Sequence, residues 1–134
     1  MPEIRTGQPV TKPDFVTHFQ AGIRHFNSRE FWEAHESWET IWLSAESDCE
    51  QFLQGLIQIA AAYHHLQRGT TRGAPRLIAA GLARLAPFPP NYCGIDRSAV
   101  ESAARRHQQS LSVDEYPKIL VADAAAIAPP SLQW

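Results

Sequence analysis

Apolar residues recur at helical spacing along most of this chain, and each run opens on a recognisable start signal. Phe15, Phe19, Ile23 and Phe26 fall three or four residues apart, with His18, Arg24 and His25 on the other side, which predicts a helix burying a phenylalanine stripe. Thr11 to Asp14 has the form of a capping box with Pro13 in the first turn, where the missing N–H costs nothing. Asn27 to Glu30 repeats that pattern, so a break at Asn27 or Ser28 and a second helix running to about Ser44 are expected. Ser47 to Glu50 is a third such box. It opens the most apolar segment, Phe52 to Leu66, which stops at Arg68 and Gly69 and should be covered on most sides.

A fourth helix is predicted over 72–86, with Ala74, Leu77, Ile78, Gly81, Leu82 and Leu85 on one face and Pro87 as its end. The prolines and glycine of 87–94 mark a loop, after which Asp96 or Ser98 can cap a more polar fifth helix reaching about Ser110. Pro117, Pro129 and Pro130 leave room for only a short helical turn near the C-terminus. No segment alternates with period two, and no internal repeat is visible. Short linkers between successive helices imply antiparallel neighbours. The expected fold is all-α, a single-domain antiparallel helical bundle of about five helices over 1–134.

Two polar residues fall where apolar ones belong. At about 100° per residue, Glu33, Glu36, Ser37, Thr40 and Ser44 fill one arc of the second helix, and Phe31, Trp32, Ala34, Trp38, Ile41, Trp42, Leu43 and Ala45 fill the rest. His35 and Glu39 lie inside the apolar arc, one turn apart. The third helix is apolar nearly all round except for a stripe of Gln54, Gln58 and His65, with small Ala61 and Ala62 between them. Buried polar groups need partners, so the two stripes are expected to face each other and form a polar site of His35, Glu39, Gln54, Gln58 and His65.

A carboxylate beside two imidazoles offers ligands for a divalent metal, His35, Glu39 and His65, or an acid/base pair of tunable pKa. The same residues could instead fix helix register through buried hydrogen bonds, with no chemistry at all. His35 to Glu39 has the form of the zinc-peptidase HExxH with Glu as its last residue, but Glu36, which would have to act as base, sits on the polar face. Arg68, Arg72 and Arg76 around a glycine-rich turn form a candidate anion site. His64 lies off the polar stripe, and His18, His25 and His107 show no evident partner. No Ser-His-Asp order, phosphate loop or dinucleotide fingerprint is present.

At these positions the chain resembles a family of bacterial and archaeal helical proteins known as domain of unknown function 309. The residues that carry the resemblance are Phe26-Asn27, the block Phe31 to Glu36, and Glu39 with Trp42 as HxxxExxW. They continue through Gln54 to Ala62, His65, Arg68-Gly69 and Gly73-Ala74. It spans about 14–86, leaving 87–134 as a less typical extension, and the chain has Thr70 where Asn is common. What it implies is an all-helical fold with His35, Glu39, Trp42 and the QGLIQ block among its signature residues, and no established activity.

Composition narrows the partners. Of 134 residues 44% are hydrophobic and 19% charged, enough apolar surface for one core. A net charge of -2 supplies no general field for nucleic acid or anionic membrane. The longest apolar stretch, Gln54 to Tyr63, is far below the roughly 20 residues of a membrane span. The two cysteines, Cys49 and Cys93, form no CxxC pair, and the N-terminus lacks the apolar centre of a signal peptide, so a cytoplasmic location is expected. Three tryptophans in one short helix exceed what a core this size hides. Trp32, at the margin of the apolar arc, is expected to be partly exposed and to favour a homodimer. The leading reading is a structural or interaction module, with a metal-dependent hydrolase or lyase and a small anionic-ligand binder as rivals.

Overall fold

The computed structural model describes residues 13–128. Helix α1 (Phe15–Asn27) is capped by Asp14, whose carboxylate accepts the Val16 N–H at 3.1 Å and the Thr17 hydroxyl at 2.5 Å. The Thr11 half of the expected box lies outside the described residues, as does Trp134. The buried side of α1 is the phenylalanine stripe, Phe15, Phe19, Ile23 and Phe26, joined by Gly22. Gly22 is there because an added Cβ would run into the Trp38 indole nitrogen, well inside van der Waals contact.

Helices α2 (Phe31–Trp42), α3 (Ser47–Gln67), α4 (Ala74–Leu85) and α5 (Ser98–His107) complete an all-α fold. Two of the expected capping boxes do not form. At the α1–α2 turn the Ser28 and Glu30 N–H groups close onto backbone carbonyls of Arg24 and His25, and Arg29 turns the chain with φ 64°. That leaves Glu30 to approach His25 Nδ1 at 2.8 Å instead of capping α2. Ser47 likewise has a positive φ, 53°, and is already the first residue of α3, whose cap, Glu46, makes no side-chain bond. Helix α5 ends three residues before the expected Ser110.

Helix α3 is central. It packs against α2 on one side and α4 on the other, and α1 packs on α2. Its buried face includes Phe52, Leu53, Leu56, Ile59, Ala60 and Tyr63, and one contiguous core runs from Phe15 to Ile127. On the α4 side, a Cβ at Gly81 would fall 2.9 Å from the Gly55 carbonyl, so both glycines permit the close approach of the two helices. No helix among the described residues is long and apolar enough to cross a membrane.

The segment beyond Pro87 contains structure the hydrophobic pattern does not announce. Strand β1 (Ile95–Asp96) pairs antiparallel with β2 (Leu120–Val121), a ladder too short to produce alternation. Asn27 reaches this segment with both ends of its amide: Nδ2 donates to the Ile119 carbonyl at 2.9 Å and Oδ1 accepts the Ile119 N–H at 2.8 Å. Tyr116 packs on Phe31 and Tyr63, while Phe88 and Tyr92 cover Phe52. His107 is buried, 7% exposed, with Nδ1 2.7 Å from the Tyr63 hydroxyl. The expectation that His107 lacks a partner is thereby corrected. Packing brought a residue 44 positions away within reach.

Candidate functional site

Helix α2 buries a narrower stripe than its wheel suggests. Phe31, Ala34, Trp38 and Ile41 face the core, and Trp38 is fully enclosed with its Nε1 donating to the Phe19 carbonyl at 3.2 Å. Trp32, His35, Glu39 and Trp42 follow at i, i+3, i+7 and i+10, so they form a flanking stripe along one edge. His35, Glu39 and Trp42 are half-buried, and Trp32 is 44% exposed, as its marginal position predicts. The Trp32 and His35 rings stack at 4.6 Å and 9°.

The two polar stripes do not join. Among the described residues no hydrogen bond links His35 or Glu39 to Gln54, Gln58 or His65, and the reason lies in which neighbour each α3 residue meets. Gln58 turns to α4, accepting from Arg84 Nε at 3.1 Å, and Gln51 bonds the same guanidinium. His65 Nδ1 contacts the Thr70 hydroxyl at 3.2 Å in the turn after α3. Gln54 is half-buried with no link to α2. The α3 stripe thus serves the α3–α4 side of the molecule.

No group of three or more His, Cys, Asp or Glu side chains among the described residues is placed to hold a metal ion, so His35, Glu39 and His65 are not gathered as a metal centre. His35 also lacks the outer support that metal-bound imidazoles use. A ligating histidine ordinarily donates its second ring nitrogen to an acceptor, whereas His35 Nδ1 is buried without a partner, as is Trp42 Nε1. Glu36, the base a peptidase would need, is exposed.

The imidazole that does reach the α2 edge is His64, which sequence reasoning set aside. Its ring lies 5.2 Å from Trp32, and 5.7 Å from His65. Burial, reinforced by His65 and Arg68, holds His64 below the usual histidine pKa, with Glu33 opposing, so the ring is neutral near pH 7. The available signal was its spacing to Arg68, one turn on, but a wheel drawn on one helix does not say which neighbour a residue meets. Trp32 and His64 line a concavity of about 620 Å³ together with Arg29, Glu33, Gln67 and Arg68.

The arginine set divides between two places. Arg68 belongs to the Trp32 concavity, while Arg72 and Arg76 line a separate one with His65. Burial, with Cys49 nearby, pushes the Cys93 thiol up to about 12, leaving it protonated near neutral pH. Arg97, also buried, is consumed structurally. Its guanidinium binds Glu101 and the carbonyls of Leu85, Phe88 and Pro89, tying the loop after α4 to α5.

A conserved hypothetical protein from Thermus thermophilus, whose crystal structure is known, is 29% identical. It superimposes with a TM-score of 0.61 over 75% of this chain and 100% of its own. An uncharacterised protein from Aquifex aeolicus (strain VF5) is 27% identical over 78 residues, 58% of this chain but only 23% of that larger protein. The family model described as Domain of unknown function (DUF309) matches 19–77, which covers α1 from Phe19, all of α2 and α3, and the start of α4. Over those residues, somewhat under half of the chain, the protein is similar to the DUF309 family.

Proposed function

We propose that this protein is a non-enzymatic interaction module that associates with a second copy of itself through the Trp32 edge of α2. The observation that carries the reading is the 44% exposure of Trp32 beside a concavity that it helps to line. A large indole left in water is costly, and a partner's Trp32 is of a shape and chemistry to fill that recess. The charges around it suit self-association. Glu30 is engaged by His25 and Arg29 lies over Tyr116, leaving Glu33 and Arg68 on the rim as one acid and one base. In a two-fold contact the same patch meets itself, so Glu33 of each copy can oppose Arg68 of the other.

Light scattering across micromolar concentrations tests this. The wild type should show a dimer mass, Trp32→Ser a monomer, and Glu33→Arg a weakened dimer that Arg68→Glu restores when the two are combined. A monomeric wild type at all concentrations, or a dimer indifferent to Trp32→Ser, would overturn the proposal.

A further inference from the structure

The turn from α3 into α4 forms a second concavity of about 710 Å³, whose lining residues differ from those at Trp32. His65, Thr70, Thr71, Arg72, Arg76 and Leu77 line it, and its walls contain no Asp or Glu. In a chain of net charge -2 that is a local excess of positive charge. Arg72 and Arg76 are exposed and make no hydrogen bond or ion pair among the described residues. Arg84 is held by two glutamines, Arg97 by Glu101 and three carbonyls, and Arg29 by the Tyr116 ring. His65 is held to the turn by Thr70, whose hydroxyl lies 3.2 Å both from the ring Nδ1 and from the His65 carbonyl, so Nε2 is left without a partner.

We infer that this concavity binds a phosphate monoester, a site separate from the self-association surface. Two guanidinium forks and the Thr71 hydroxyl offer more donors than the two oxygens of a carboxylate use well, whereas the three terminal oxygens of a phosphate can engage them together. The space exceeds that of an inorganic phosphate, and Leu77 supplies an apolar wall for an organic group. The overall negative charge argues against a polyanion and for a small ligand held by a local cluster.

Two-dimensional NMR titrations at constant ionic strength, with inorganic phosphate, phenyl phosphate and benzoate as probes, read this directly. Saturable shifts confined to 65–77 are expected with both phosphates, tighter for phenyl phosphate, and weaker for benzoate. Arg72→Ala and Arg76→Ala should each weaken phenyl phosphate at least tenfold, Arg76→Lys less, and Arg105→Ala on α5 not at all. Both arginines are exposed and unpartnered, so the variants should retain the wild-type spectrum elsewhere, which the same experiment records. Shifts that grow linearly without saturation, benzoate binding as tightly as phenyl phosphate, or Arg105→Ala weakening binding as much as Arg72→Ala would each overturn the assignment.

Discussion

Glu39 shows how far a residue's position on a wheel can differ from its role in the fold. Set in an apolar arc, it would require partners from α3, and its removal would then strand them. In the structure it is half-buried and makes no bond to His35, Gln58 or His65. Glu39→Ala should therefore cost no more than about 0.5 kcal/mol, the usual range for a side chain with no specific contact, and match the exposed Glu36→Ala. Urea denaturation of both variants, compared at equal m-values, checks this. A midpoint for Glu39→Ala lower by the equivalent of more than about 1 kcal/mol would restore the facing-stripe arrangement. Trp32 is the opposite case, because its marginal angle alone foretold its exposure. His64 was legible only in part, since its adjacency to His65 obscured that the two rings serve different neighbours.

Helix α5 is fastened to α3 through the Tyr63–His107 hydrogen bond, and this joins the stability of the segment beyond Pro87 to pH. Burial, reinforced by Arg106, lowers the His107 pKa below its ordinary 6.5, with Asp114 opposing. The unfolded chain therefore takes up the proton first as the pH falls. Stability from this group is complete above 6.5 and declines as the pH drops through that value toward the lowered one. His107→Gln keeps an acceptor for the Tyr63 hydroxyl and removes the titration. The wild type should lose more of its urea midpoint between about pH 7.5 and 5.5 than this variant does. Equal losses would mean that other groups, His64 among them, account for the acid sensitivity. The Asn27 clasp on Ile119 acts on the same extension, and it needs no titratable group.

At the scale of the molecule, family-like core and extension share one set of buried side chains. Phe88 and Tyr92 cover Phe52, Tyr116 covers Phe31 and Tyr63, and Val100 and Ala104 of α5 belong to the same core. A chain ending at Ala86 would expose those aromatics, and large buried aromatic faces each contribute about 1.5–3 kcal/mol. That truncated protein should retain helical far-ultraviolet circular dichroism and lose its near-ultraviolet signal and cooperative urea transition. Unchanged cooperativity and midpoint would instead divide the chain into a core that folds alone and an appended segment. The same scale governs both proposed surfaces, since each lies where consecutive helices of the core meet: α2 with α3 at Trp32, and α3 with α4 at Arg72 and Arg76.

That helices form, and roughly where, was legible along the chain, because a periodicity near 3.6 and the prolines that interrupt it are local properties. The phenylalanine stripe of α1, the broadly buried α3 and the exposed edge at Trp32 follow from that periodicity alone. Which faces meet was settled only by packing. A wheel gives a residue's angle about its own axis and nothing about the helix opposite, so Gln58 could be assigned to His35 as readily as to Arg84, 26 residues away. The Asn27–Glu30 capping box failed for a related reason: backbone closure at 28–30 had already satisfied the Glu30 N–H that its capping side chain would have served. Asn27 and Ile119, separated by 92 residues, pair because packing brings an amide to a stretch of backbone with a free donor and acceptor, and no local pattern encodes that encounter.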